Sequence, residues 1–236
     1  GMKAAKGMYI MHVDSDDWIL PGTLEKLFKK CTETDADVLV FNYVRENSQG
    51  QRYSDNQNED NYVTTDKARV QKYFYGASVN KIVKKDLTEN LISGEIGVNT
   101  TEDLLYATEI LLKSHKICIV SEQYYVYFVN TDSITHSIRP LQYIENQIII
   151  LSQLQKIVYH YNADSIICTN VLNYFEKWIY AELVKIQFLD FAKLKECDFV
   201  IRKITLFPIF YGSRARRLEK ALNNKYYCLF EIAKLF

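Results

Sequence analysis

The sequence predicts an α/β fold followed by an all-helical C-terminal domain, and three observations lead to this prediction. Residues 8–13 form an apolar stretch that runs directly into a cluster of aspartates, as expected where a buried strand ends at a ligand-binding edge of a sheet. Strand-like and helix-like patterns then alternate as far as residue 138. From residue 139 onward, apolar side chains recur at the spacing of one helix face.

Each element of residues 1–138 is predicted from its local pattern. Short apolar runs indicate strands, and apolar residues three and four apart indicate amphipathic helices. The stretch 47–61 is rich in Asn, Gln, Ser and Asp and is predicted to be an exposed loop without chemistry of its own. In chain order, the sequence predicts strands over residues 8–13, 37–43, 116–120 and 123–129, and helices over residues 23–31, 65–74 and 101–113.

Residues 139–236 are predicted to form a separate helical domain. Pro208 and Gly212 interrupt the helical pattern once, which predicts a break between helices. The aromatic residues of this domain are interpreted as core. The apolar positions of its first predicted helix face are Ile144, Ile148, Leu151, Leu154 and Val158.

Composition places the chain among ordinary globular proteins. Its 236 residues are 48% hydrophobic and 25% charged, which suffices for a sizeable core. Lysine plus arginine and aspartate plus glutamate are equal at 29 each, so the charge gives no reason to expect a nucleic-acid partner. Five scattered cysteines without C-x-x-C spacing argue against structural zinc and a disulfide framework. With no apolar run of about 20 residues, the sequence predicts a cytoplasmic protein, and peripheral contact with the inner face of the membrane stays open.

The aspartate cluster after the first strand is the strongest chemical signal. Crowded carboxylates disfavour one another's ionised form unless solvent or a cation compensates, and Asp14 and Asp16 suit a hard divalent cation with oxygen ligands. An EF-hand is excluded because Ile19 stands where that loop requires glycine. The alternative is a solvated turn in which Asp16 and Asp17 cap the helix that starts near Pro21. On the carboxylates alone, the two interpretations are equal.

Four segments follow one another in the order of the motifs of a known enzyme family. They are Val13-Asp14-Ser15-Asp16-Asp17-Trp18, similar to a metal-binding "DXD" segment; Asn80-Lys81-Ile82-Val83-Lys84-Lys85, similar to "KLYKR"; Thr101-Glu102-Asp103-Leu104-Leu105-Tyr106, similar to "EDLLF"; and Tyr124-Tyr125-Val126-Tyr127 with Asp132-Ser133-Ile134-Thr135, similar to "YYYR…SIT". On these motifs the chain resembles the family 2 glycosyltransferases over about residues 3–138. The resemblance implies a partial GT-A sheet. Phe128 stands where the family often has arginine, which removes one expected phosphate or acceptor contact.

The resemblance implies a metal-dependent site for the sugar donor. Asp14 and Asp16 would hold Mn²⁺ or Mg²⁺, and His136 would be a further ligand if its loop folds over the site. Asp17 would orient the metal or the sugar, and Trp18 would line the donor pocket. A solvated histidine and a tryptophan that only packs are the alternatives.

The resemblance also implies a catalytic base at the start of the helix over 101–113. Asp103 is favoured as the base, with Glu102 second. The alternative is a capping box, in which Thr100 is the N-cap residue and Asp103 favours the helix dipole. Lys81 would contact the donor phosphate or lie on an exposed turn, and the segment itself does not decide between them.

Together, these features imply inverting transfer of a sugar from a nucleoside diphosphate sugar to a saccharide or lipid-linked saccharide acceptor, in the assembly of a surface polysaccharide. Family members normally open with "SIIIPVYN", "NDGS" and "N.G…ARN" segments that bind the nucleotide, and none of these precedes Gly1. We therefore expect a partial enzyme that is weakly active or inactive. The alternative is a non-catalytic carbohydrate- or protein-interaction module derived from a glycosyltransferase, with a homodimer through an uncovered sheet edge.

Overall fold

In the computed structural model the chain has an α/β fold, as predicted, and residues 1–54, 58–76, 78–95, 102–129, 140–171 and 174 are described. The strands are β1 (Tyr9–Met11), β2 (Trp18–Ile19), β3 (Val38–Glu46), β4 (Arg52–Tyr53), β5 (Tyr62–Thr64), β6 (Lys81–Lys84) and β7 (Ile117–Phe128). The α-helices are α1 (Thr23–Thr34), α2 (Lys67–Val70), α3 (Glu102–Lys113) and α4 (Pro140–His160). Short 3₁₀ helices cover Met2–Ala4, Gln71–Phe74, Lys85–Thr88 and Ile92–Glu95.

The strands of the described residues form one mixed sheet. Its order is β1-β6-β3-β7-β2, with β4 added to β3 and β5 added to β7. The long strands β3 and β7 are parallel, whereas the other neighbouring strands are antiparallel. A mixed sheet of this kind is covered by helices on both faces.

The alternation of side chains along β3 shows how both faces of the sheet are buried. Leu39 and Phe41 belong to the core cluster beneath α1, which contributes Leu27. Val38 and Val40 point to the opposite face and pack in the cluster that includes α3. Because both faces of the sheet are buried here, Val38–Phe41 of β3 form a continuous apolar run rather than an alternation of apolar and polar residues.

The two strands predicted over 116–120 and 123–129 are one continuous strand, β7, and the prediction of a pair was wrong. The register between β3 and β7 shifts on both sides of Asn42, as at a β-bulge. The Asn42 side chain donates to the carbonyl of Ser121 at 2.7 Å and to that of Asn58 at 2.9 Å. The Asn42 side chain thereby provides hydrogen-bond partners for backbone groups that have no strand-pairing partner at the bulge. The polar residues at this point of β7 therefore mark a bulge in the pairing rather than a turn.

The loop between β1 and β2 is fastened at both ends. On one side β1 pairs with β6, with Met11 opposite Ile82. On the other side β2 pairs with β7, with Trp18 opposite Val126. The entry to α1 is tied to the same strand, because the Thr23 hydroxyl donates to the Tyr124 carbonyl at 3.0 Å.

Helix predictions were largely confirmed where the chain is described. α1 runs three residues further than predicted, and the helix predicted over 65–74 divides into α2 and a 3₁₀ turn. In α4, Leu151, Leu154 and Val158 are buried as the periodicity predicts. None of the helices in the described part is both long and apolar enough to cross a membrane. The remainder of the predicted helical domain lies outside the described residues, and its boundary at 138/139 stays a prediction.

Candidate active site

The acidic loop between β1 and β2 is held in shape by Asp17. Both oxygens of its half-buried carboxylate accept hydrogen bonds, from the Tyr125 hydroxyl at 2.6 Å and from the Phe128 backbone N–H at 2.8 Å. The Asp17 N–H donates to the Asp14 carbonyl at 3.2 Å, which closes a tight turn. Asp17 therefore anchors the loop to β7, in addition to any contact it makes with a donor.

Tyr125 completes the anchor from the other direction. Its side chain is fully buried, and its hydroxyl oxygen accepts the Asp14 backbone N–H at 3.1 Å while donating to Asp17. Burial, reinforced by the hydrogen bond to Asp17, raises the pKa of Tyr125 above its usual value. The hydroxyl is thus held in the protonated form that the anchor needs.

Asp14 and Asp16 differ from Asp17 in being exposed. The structure brings them together on a turn whose backbone is fixed by Asp17 and Tyr125. No group of three or more metal-ligating side chains occurs among the described residues. Two carboxylates still fit a Mg²⁺ or Mn²⁺ ion of the kind that takes its remaining oxygens from water and substrate phosphates.

Tyr127 belongs to the last of the four family-like segments, which gave it no role, and its hydroxyl lies close enough to the acidic loop to feel its charges. Burial raises its pKa, and the negative charges of Asp17, Asp16 and Asp14 add to the effect, while Arg45 opposes it. The Arg45 guanidinium lies 5.9 Å from the centre of the Tyr127 ring. The strand pairing places these two residues opposite each other, which a local motif does not reveal.

Trp18 follows the acidic turn and is partly open to solvent, with 37% of its surface exposed. Its ring lies 6.2 Å from that of Phe128, in a tilted arrangement. Phe128, at the position where arginine was expected, therefore packs against Trp18 rather than offering a charge. The open side of the Trp18 ring remains available as a wall of a pocket, so its predicted role in donor binding stays a prediction.

Asp103 lies at the start of α3 and is exposed. Its Oδ1 accepts a hydrogen bond from the buried Ser78 hydroxyl at 2.7 Å. α3 begins at Glu102, one residue later than predicted. Thr100, the predicted cap, and the side chain of Glu102 lie outside what the structure describes.

His12 connects the acidic loop with Asp103. Burial lowers its pKa, and the negative charge of Asp103 opposes that effect. Its ring meets that of Tyr106 edge to face at 4.9 Å. Burial raises the pKa of Tyr106 to about 12, and Asp103 adds to the shift. The end of β1 and the start of α3 are therefore neighbours. No role was predicted for His12 or Ser78 from the sequence, and Tyr106 was named only as part of the "EDLLF"-like segment.

Lys81 occupies the first position of β6 and is buried, with only 1% of its surface exposed. Its Nζ donates to Asn80 Oδ1 at 2.6 Å and lies 5.3 Å from the centre of the Phe74 ring. Burial lowers the pKa of Lys81 to about 7, and the charge of Asp103 opposes the shift. Lys81 is thus a buried strand residue rather than part of an exposed turn, and its contact with a donor phosphate stays a prediction. His136 is outside the described residues.

Comparison with known proteins shows which family the sequence around this site resembles. Residues 1–92 match the model of glycosyl transferase family 2. The predicted resemblance to family 2 glycosyltransferases is confirmed. The matched segment contains the acidic loop, α1, β3 and β6. The second part of the candidate site, at Asp103, lies outside it.

Curated relatives match over part of their length. Poly(ribitol-phosphate) beta-N-acetylglucosaminyltransferase TarP of Staphylococcus aureus (strain N315) is 28% identical over 138 residues, which are 58% of this chain and 42% of TarP. Glycosyltransferase EpsJ of Bacillus subtilis (strain 168), described as uncharacterized, is 24% identical over 144 residues, 57% of this chain and 42% of EpsJ. The chain thus spans about two fifths of these relatives.

Solved structures agree on the fold. A crystal structure of S. aureus TarS 1–349 in complex with UDP-GlcNAc matches 99% of this chain and 68% of the TarS chain, with a TM-score of 0.67 and 18% identity. TarS 1–349 in complex with UDP matches 99% of this chain with a TM-score of 0.66 and 20% identity. The mixed sheet with helices on both faces therefore resembles the GT-A glycosyltransferase fold.

Proposed function

We propose that this chain carries the acidic donor loop and the catalytic base of a family 2 glycosyltransferase, which transfers a sugar from a nucleoside diphosphate sugar with inversion. The observation that carries the proposal is the fixed turn that presents Asp14 and Asp16 to solvent while Tyr125 and Asp17 hold its backbone. The family match over residues 1–92 supports it.

Asp14 and Asp16 would supply carboxylate oxygens to Mn²⁺ or Mg²⁺. The ion, when bound, would neutralise the charge that develops on the departing diphosphate. Tyr125 and Asp17 keep the turn ready for this role, so little reorganisation is needed on binding. The exposed face of Trp18 would pack against the donor. His136 remains a proposed further ligand.

Asp103 would take the proton of the acceptor hydroxyl as that oxygen attacks the anomeric carbon. The Ser78 hydroxyl, donating to Oδ1 at 2.7 Å, fixes one carboxylate oxygen, and Oδ2 would face the acceptor. Glu102, the preceding residue, is the second candidate for the base. The exposure of Asp103 at the start of α3 gives an acceptor access to it.

We infer a UDP-sugar as donor, because the structurally similar TarS was solved with UDP-GlcNAc and with UDP. The name of TarP describes transfer to poly(ribitol-phosphate), which agrees with an acceptor that is a surface polysaccharide or its lipid-linked precursor. These assignments rest on relatives of which the chain spans only part.

The test is calorimetric titration of UDP and GDP, with and without Mn²⁺, into the chain and into an Asp14→Ala/Asp16→Ala variant. UDP binding that requires Mn²⁺ and is lost in the variant is the expected result. Glu59→Ala/Asp60→Ala is the matched control, since both of its carboxylates are exposed away from the acidic loop, and it should bind as the unmutated chain does. Binding that survives loss of Asp14 and Asp16 would overturn the assignment.

A second candidate function, a non-catalytic interaction module, is favoured by the end of the sheet at β1. Within the described residues β1 pairs only with β6, and Met8 beside it is 64% exposed. Phe28 of α1, 48% exposed, lies 6.2 Å from the Tyr9 ring at the same end. An open strand edge with apolar neighbours readily pairs with another chain.

This candidate predicts a dimer through β1 and no metal-dependent nucleotide binding. Sedimentation velocity should then show a dimer for the unmutated chain and a monomer for Met8→Lys, because a lysine beside an edge strand opposes strand pairing. A monomer at all concentrations would remove this candidate.

A further inference from the structure

The first turn of α3 is joined to the sheet by a side-chain hydrogen bond. The hydroxyl of Ser78, a residue with only 6% of its surface exposed, donates to Asp103 Oδ1 at 2.7 Å. Asp103 itself is exposed. A hydroxyl that donates to a carboxylate makes one of the stronger side-chain hydrogen bonds, and a buried hydroxyl without a partner would be costly. The exposed carboxylate is therefore held from the protein side.

Ser78 is attached to a well-fixed part of the fold. It lies three residues before β6, and its neighbour Val79 is buried in the core cluster beneath α1. The Asn80 carbonyl accepts the backbone N–H of Phe41 at 3.1 Å, which ties the segment to β3 in the middle of the sheet. A supporting side chain on such a rigid base can hold a functional group in one orientation.

The strand that follows Ser78 is also the partner of the strand that leads into the acidic loop. In the register of β1 and β6, Met11 lies opposite Ile82. His12, the next residue after Met11, meets the ring of Tyr106 edge to face at 4.9 Å. Tyr106 lies three residues beyond Asp103, so the two share one face of α3. The first turn of α3 is thus in contact with the end of β1 as well as with the segment before β6.

The reaction proposed above requires a fixed separation between its two acidic parts. The ion held by Asp14 and Asp16 would stay with the departing diphosphate, whereas Asp103 would take a proton on the opposite side of the anomeric carbon. A displacement of about 1 Å in such an arrangement can lower the rate about a hundredfold. Contacts that hold α3 against β1 and β6 therefore bear directly on this separation.

We propose that Ser78 is a positioning residue: its hydrogen bond to Oδ1 fixes Asp103 relative to the acidic loop, so that Oδ2 takes the proton of the acceptor hydroxyl. The proton moves to Oδ2 as the acceptor oxygen bonds to the anomeric carbon, and the diphosphate leaves with the electron pair of the broken bond. The proposal rests on the proposed function, because Asp103 is taken as the base. It adds that β1 and β6, rather than α3 alone, determine where the base lies.

The first experiment detects the hydrogen bond and needs no activity. The full chain is labelled with [γ-¹³C]aspartate, and the Asp103 carboxyl signal is assigned by Asp103→Asn. Ser78→Ala should shift this signal at neutral pH, because one oxygen loses its donor. Ser114→Ala is the matched control and should leave the signal in place: Ser114 is also buried, but its hydroxyl donates to the Leu111 carbonyl at 2.8 Å, at the other end of α3. An Asp103 signal that does not move in Ser78→Ala would overturn the proposal.

The second experiment measures catalysis, with UDP-GlcNAc and Mn²⁺ as the donor probe and poly(ribitol phosphate) as the acceptor probe. In Ser78→Ala, kcat should fall about ten- to a hundredfold, while the Kd of UDP–Mn²⁺ and the KM for UDP-GlcNAc should be retained. Ser114→Ala should change none of these quantities. An unchanged kcat in Ser78→Ala, or an equal fall in Ser114→Ala, would overturn the proposal. If the unmutated chain binds no UDP, the proposed function fails, and the carboxyl signal still decides whether Ser78 holds Asp103.

Discussion

Tyr125→Phe removes the hydroxyl that joins two parts of the acidic loop, and its cost can be worked out from the structure. A hydrogen bond to a charged group contributes about 1.5–3 kcal/mol, and one to a backbone N–H about 1 kcal/mol. Asp17 is half-buried and can regain water once the hydroxyl is gone, so the lower values apply. We expect the free energy of unfolding to fall by about 2 kcal/mol.

The assay is urea unfolding at neutral pH, with thermal unfolding in parallel. For a chain of this size, about 2 kcal/mol corresponds to a fall in Tm of about 4–8 °C. Tyr53→Phe is the control, because the Tyr53 side chain is exposed on β4, and surface changes of this kind stay within about 0.5 kcal/mol. If Tyr125→Phe is no more destabilising than Tyr53→Phe, the hydroxyl does not anchor the loop and the reasoning is refuted.

Two further predictions concern carboxylates away from the acidic loop. Burial works against the ionised form of Asp37, but hydrogen bonds from the backbone N–H groups of His115 and Lys116, between α3 and β7, and from the Lys84 ammonium outweigh it and lower the pKa of Asp37. The stability that ionised Asp37 contributes is therefore present above the ordinary pKa of 3.8 and is lost as the pH falls through the lower pKa of the folded state. In urea unfolding between pH 2 and 6, the free energy of unfolding should fall more steeply with acid in the unmutated chain than in Asp37→Asn. Equal pH dependence of the two chains would contradict this. Glu109 is fully buried and accepts hydrogen bonds from the Ile92 N–H at 2.9 Å and the Tyr161 hydroxyl at 2.7 Å. Glu109→Gln should lower the free energy of unfolding in urea by about 1–3 kcal/mol, because the new buried amide N–H group faces other hydrogen-bond donors. A loss under about 0.5 kcal/mol would show that these contacts rearrange freely.

The fold could be predicted where the pattern is local. The apolar face of α1 and the continuous apolar run of β3 follow from residues close together in the chain. The acidic loop was predicted because Asp14 and Asp16 directly follow a strand. The role of Asp17 as an anchor could not be predicted in this way, since its partner Tyr125 is 108 residues away.

Contacts between residues that are distant in the sequence also explain the other predictions that the structure corrects. β7 was divided into two strands because the polar residues at Ser121 resemble a turn, whereas the bulge depends on Asn42, 79 residues earlier. The burial of Lys81 follows from the packing of the folded chain, in which the Phe74 ring centre lies 5.3 Å from its ammonium, and the local motif does not reveal this. Long-range pairing, rather than propensity, decides these positions.

The two ends of the acidic loop are held with unequal strength. β1 and β2 are short strands at opposite margins of the sheet, but on the β2 side Asp17 adds two hydrogen bonds to β7. Fluctuations of the loop should therefore begin on the β1 side and pivot about Asp17. A partner strand that pairs with the outer edge of β1 would reduce the mobility of Asp14 without contacting it. Binding of such a partner at β1 and binding of a ligand at the acidic loop would therefore strengthen each other.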